Sequence, residues 1–194
     1  MNIDNTLKKR KTVYKLAIAR YSIGEAIDSA KALIDICGED HNHPLFRPLH
    51  AALVISYGRA YSNMEPFGII SSKWSEFKSA DEQRAHLALL AQRNKMVGHS
   101  DYIPERVMVY PKGTEMPNGD IAESMKIEVL TNYINPRDIR FIINMMEELF
   151  ARMSEGIHDG MTELYGELGK DLDKTLELIK EDELRDSLKS SSVS

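Results

Sequence analysis

Between Thr12 and Cys37 the apolar side chains Leu16, Ala19, Ile23, Ala26, Ile27, Ala30, Leu33, Ile34 and Cys37 recur at spacings of three and four. A strand alternates with a period of two, so this run buries itself only as one face of a long helix. A helix with a single apolar stripe must be covered by other elements, which commits the chain to a layered, helix-rich architecture. Gly38 follows the stripe directly and is the expected stop.

The same period returns downstream. Pro48 suits the first turn of a second helix with the body LHAALVISYGRAYS, ended by Asn63, Pro66 and Gly68. A linker with an apolar patch at Trp74 and Phe77 precedes Ser79 and Glu82, an S-x-x-E capping box that opens a third helix, stopped near Gly98. The pattern then changes. RVMVY (Arg106 to Tyr110) and MKIEVL (Met125 to Leu130) are rich in strand formers and flank the turn signal Asn118-Gly119. Asn135 as N-cap and Pro136 at the first helical position start a fourth helix with the stripe Ile139, Ile142, Ile143, Met146, Leu149, Phe150 and Met153. Gly156 and Gly160 are expected to weaken its continuation. The expectation is a mainly α fold: an up-and-down bundle of four to five helices with a β-hairpin inserted at about 105–131, in a domain spanning 1–160. Residues 161–194 read as an acidic amphipathic helix, with Tyr165, Leu168, Leu172, Leu176 and Ile179 at helical spacing, followed by a polar tail.

Charge and composition exclude several classes. The formal net charge is −5. Glu163 to Asp186 alone hold nine acidic and four basic residues, a balance of −5, and residues 1–162 are close to neutral. That argues against a broad nucleic-acid coat but leaves room for a local cationic pocket. No apolar run is long enough to span a bilayer, and the basic N-terminus lacks the apolar region of a secretory signal, so no membrane partner is expected. Cys37 is the one cysteine, which rules out an internal disulfide and a Cys-rich zinc motif and fits a reducing, cytoplasmic setting. No phosphate-binding or dinucleotide glycine pattern and no G-x-S-x-G elbow is present, so no cofactor is expected.

The stretch that carries chemistry is RNKMVGHSD, Arg93 to Asp101, where the third helix runs into a loop. Arg supplies a permanently charged planar fork that suits phosphate oxygens. His titrates near neutrality and transfers protons. Together they meet the minimum needs of RNA cleavage: a proton taken from the 2′-hydroxyl or given to the leaving oxygen, and a cation beside the charge that develops on phosphorus. In a straight helix Arg93 and His99 project about 120° apart. They converge only if the helix ends or bends at Gly98, or if two copies meet. The alternative is structural, since Arg and His in a last helical turn also complement the negative end of the helix dipole.

Arg93, Asn94 and His99, with the flanking AALVISYGRAYS and LALLAQRNKMVGHSD, resemble the HEPN family of helical bundles over about residues 12–155, and in particular a bacterial subgroup among defence and toxin proteins. The resemblance implies a homodimer whose paired motifs form a composite, metal-independent endoribonuclease site. Arg93 would bind and polarise the phosphate, His99 would act as general acid or base, and Asn94, Ser100 and Tyr102 would support them. RNA is the implied substrate, with an antitoxin or other regulatory protein as a further partner. In the subgroup paired with a nucleotidyltransferase antitoxin a Tyr often lies two positions after the His; here Asp101 holds that place and the tyrosine is Tyr102. Other members bind nucleotides or proteins without catalysis, which is the alternative reading.

Further features stand between a functional and a structural role. Arg59 in YGRAYS is either a second phosphate contact beside Arg93 or a partner in an ion pair. Tyr57, Tyr61 and Ser62 line the same cleft or serve packing and capping. Glu39-Asp40-His41-Asn42-His43 has metal-ligand residue types without a motif that fixes a coordination shell, so a solvated loop is expected. His50 and His86 read as polar-face or packed core residues, and Cys37 as a buried thiol with no His partner near it.

Overall fold

A computed structural model describes residues 3–65, 67–97, 106–116, 119–130 and 134–165. The chain is mainly helical: α1 (Ile3–Cys37), α2 (Phe46–Arg59), α3 (Ala80–Val97) and α4 (Pro136–Tyr165), with a short 3₁₀ turn at Ser72–Ser75. Strands β1 (Arg106–Tyr110) and β2 (Lys126–Leu130) pair antiparallel, Arg106 opposite Leu130 and Tyr110 opposite Lys126. Asn118, half of the Asn-Gly turn signal, lies outside the described residues.

α1 begins well before Thr12. Its first turns, which include Lys8, Lys9, Arg10 and Lys11, are helix-favouring but carry little of the apolar stripe, so periodicity marks only the part that is buried. Its end follows the expected chemistry: Gly38 adopts φ 56° and its N–H donates to Ile34 O at 3.0 Å. The capping box of α3 is reciprocal, with Glu82 N–H donating to Ser79 Oγ (3.1 Å) and Ser79 N–H to Glu82 Oε2 (3.0 Å). Asn135 Oδ1 accepts from Arg137 N–H (3.0 Å) and caps α4.

α4 does not weaken at its glycines. It runs unbroken through Gly156 and Gly160 to Tyr165, so residue 160 is not the end of an element. A Cβ at 156 would lie 2.6 Å from Trp74 Cη2, and one at 160 would overlap Val13 Cγ2. The glycines let α4 press against α1 and Trp74, and the packing outweighs the roughly 1 kcal/mol that each costs in helix propensity.

α1 is the central helix and packs on both α2 and α4. The α1–α4 pair is antiparallel over its whole length: Lys9 meets Glu163, Arg20 meets Ser154 and Lys31 meets Glu147. α3 packs on α2 and touches α4 only lightly. The core is continuous from Leu16, Ile23 and Leu33 of α1 through Leu53 and Tyr57 of α2 and Leu89 of α3 to Ile139, Met146 and Met153 of α4.

Candidate functional site

Arg93 sits near the C-terminal end of α3, half-buried against α2. Its aliphatic stem lies across Gly58, where a Cβ would overlap Arg93 Cγ. Only glycine leaves that space, which explains a glycine inside an otherwise ordinary helix. The guanidinium then reaches past the end of α2. Nη2 donates to Ser62 Oγ (3.0 Å) and Nη1 to Asn94 Oδ1 (3.1 Å). Ser62 Oγ in turn donates to Gly58 O at 2.9 Å, so its lone pairs face the arginine. The fork is thereby fixed in direction by two neutral acceptors that leave its charge unpaired by either. Gly58, Tyr61, Ser62, Asn63, Leu90 and Asn94 surround Arg93 in a cavity of about 470 Å³. A permanent cation held at the wall of such a hollow is suited to an anionic group, a phosphate above all.

The register that puts Arg93 over Gly58 is set one layer deeper. His86 lies two helical turns before Arg93 and so on the same side of α3. It is buried, and its Nδ1 pairs with the Tyr57 hydroxyl at 2.8 Å. Burial pushes the Tyr57 phenol well above its ordinary range and the His86 imidazole down, so both stay neutral. Tyr61 and Phe77 pack their rings against the same imidazole at 4.7 and 4.9 Å. Tyr61 is pushed up to about 12 by burial and donates to Trp74 O (3.2 Å), so its hydroxyl is a wall of the cavity and no base at neutral pH.

Of the residues singled out in the sequence, the structure brings together Arg93, Asn94, Tyr61 and Ser62. Arg59 stands elsewhere. It pairs with Glu25 of α1 at 2.8 Å, both side chains being substantially exposed, and does not line the Arg93 cavity. His99, Ser100 and Tyr102 lie outside the described residues, as does Asp101. Gly58 is the site residue that sequence reasoning missed. Its signal was the glycine in YGRAYS, at a position where alanine would make a better helix.

One expectation about the other candidates needs adjustment. Cys37 does have a histidine beside it, since His43 Nδ1 lies 3.4 Å from its Sγ, brought back by the turn after Gly38. The same nitrogen accepts the Leu45 N–H at 3.2 Å, so it carries a lone pair. Cys37 is buried at the C-terminal end of α1. His41 packs on Phe46 at 4.6 Å, and among the described residues no group of three His, Cys, Asp or Glu side chains could hold a metal ion. His50 is a core residue: fully buried, it accepts the Ile134 N–H on Nε2 at 3.2 Å and so ties α2 to the start of α4.

The described residues therefore define a mainly helical protein with an arginine-centred cavity between its second and third helices. No protein-family model, curated protein or solved structure matches this chain. No helix among the described residues is long and apolar enough to cross a membrane.

Proposed function

We propose that this chain is a HEPN-type, metal-independent endoribonuclease, an up-and-down helical bundle with a hairpin at about 105–131, acting in the cytoplasm as a homodimer and serving as a toxin or phage-defence effector. The observation that carries this reading is the held Arg93: its stem rests on Gly58, its fork is aimed by Ser62 and Asn94, and the His of the Arg-x5-His spacing follows in the chain. In this reading Arg93 binds the scissile phosphate and stabilises the charge that builds as the 2′-oxygen attacks phosphorus and the 5′-oxygen leaves. His99 carries the proton between those oxygens. The motif of a second copy completes the site.

The test is cleavage of single-stranded RNA in EDTA by the wild type and by Arg93→Ala and His99→Ala. The wild type is expected to cut, and each variant to lose on the order of 100-fold or more in rate. Equal, negligible cleavage by all three proteins would sink the proposal. A second reading, a non-catalytic dimer that binds a nucleotide or a partner protein, is favoured by one observation: Arg93 already spends two of its N–H groups on its own chain. It predicts nucleotide or protein binding that Arg93→Ala weakens, with no cleavage by any of the three.

A further inference from the structure

A second cavity, of about 570 Å³, opens between the N-terminal half of α1, the last turns of α4 and residues 69–74. Its floor is apolar, made by Val13, Leu16 and Trp74, and Ile69 stands 57% exposed at its mouth. Its rim is cationic. Lys8, Lys15 and Lys73 line it, on a stretch of α1 where Lys8, Lys9, Arg10, Lys11 and Lys15 occur with no acid among them. The acids at the cavity are Asp159 and Glu163, and Glu163 is taken up by Lys9 at 2.5 Å. A groove with an apolar floor and a basic rim suits an amphipathic segment whose polar side is acidic.

Such a segment is tethered a few residues away. Glu163 opens the acidic stretch of the sequence and is already docked on the basic one. Beyond Tyr165 come Gly166 and Gly169, residues that end helices and reverse chains, and then Leu172, Leu176 and Ile179 at helical spacing with Asp171, Asp173 and Glu177 beside them in the sequence. We propose that residues 170–186 fold back over this cavity in the same chain, with the three aliphatic side chains on the floor and the carboxylates facing Lys8, Lys15 and Lys73. The short tether favours this occupant over any free one, because a linked segment acts at a millimolar effective concentration. Docking is part electrostatic, so it weakens with salt. The inference stands on this cavity alone and is independent of the activity assigned to Arg93.

Distance measurement between spin labels tests it in the full chain, with Ser71→Cys and Thr175→Cys on a Cys37→Ala background. If α4 continued straight, residue 175 would lie about 24 Å beyond the level of Asp159. Docking predicts a main distance clearly shorter than that, lengthening when Lys8, Lys15 and Lys73 are all changed to Glu. Changing Asp171, Asp173 and Glu177 to Lys should lengthen it equally, and combining both sets should restore it. A helical circular dichroism signal shows that each variant folds. A main distance of 24 Å or more in the unaltered background overturns the proposal. So does a short distance indifferent to the charge changes, or one that disappears on dilution with unlabelled chain, which would make a second copy the occupant.

Discussion

His50 turns a buried hydrogen bond into a pH limit on the fold. Its Nε2 accepts the Ile134 N–H, so the neutral ring carries its proton on Nδ1. Burial, with a smaller push from His41, moves its pKa down from 6.5 to about 4. The unfolded chain therefore takes up a proton before the folded one does. The stabilisation is fully present above about pH 6.5 and is lost as the pH falls towards 4, amounting to about 3 kcal/mol at the low end. Urea unfolding of His50→Gln, whose amide oxygen can accept the same N–H without titrating, should show a flatter loss of stability across this window. A slope equal to that of the wild type would contradict the assignment. Gly58 makes a different kind of demand. Ala at 58 gains up to about 1 kcal/mol in helix propensity but must displace the Arg93 stem. Overpacking of that kind costs about 1–3 kcal/mol, so Gly58→Ala should lower the unfolding free energy by up to about 2 kcal/mol. Under the proposed ribonuclease reading, its RNA cleavage rate should fall on the order of 100-fold, as expected when a group that acts on the phosphate is misplaced by about 1 Å. Retained cleavage would show that the seat of Arg93 does not matter to the chemistry.

At the scale of elements, local chemistry was legible and close approach was not. The stop of α1 at Gly38, the reciprocal Ser79–Glu82 box and the Asn135 cap all follow from residues within four positions of a helix end, where sequence and geometry are nearly the same information. The Arg93-Asn94 pair was legible for the same reason, being adjacent in the chain. Gly58, Gly156 and Gly160 were not, because the partner of each comes from another element and propensity alone makes any helical glycine look like a weakness. The Cys37–His43 contact was missed because it depends on the path of the turn between them. Gly156→Ala separates the two views of a helical glycine. On propensity it would stabilise α4 by about 1 kcal/mol. Against the rigid Trp74 ring and Leu16 Cδ2 at 3.1 Å, overpacking should cost about 1–3 kcal/mol and reverse the sign. Calorimetry reads the outcome directly, and a raised Tm would mean that Trp74 yields freely.

The whole molecule is organised about α1, which has α2 on one flank and α4 on the other. Its two partners differ sharply in how far away they are along the chain. The turn after Cys37 brings α2 back at once, and Arg59 finds Glu25 across 34 residues. α4 pairs with α1 across separations of 134 residues at Arg20–Ser154 and 154 at Lys9–Glu163. Contacts of that span form late, because a long loop must close before they return any energy. During synthesis α1 emerges first and waits for α4, whose first residue lies 99 positions after Cys37. At ordinary translation rates that interval is about 5–20 s. For that time the side of α1 bearing Val13, Leu16 and Gly24 is an uncovered apolar strip on a nascent chain, which makes it the natural place for a chaperone to hold this protein before the bundle closes.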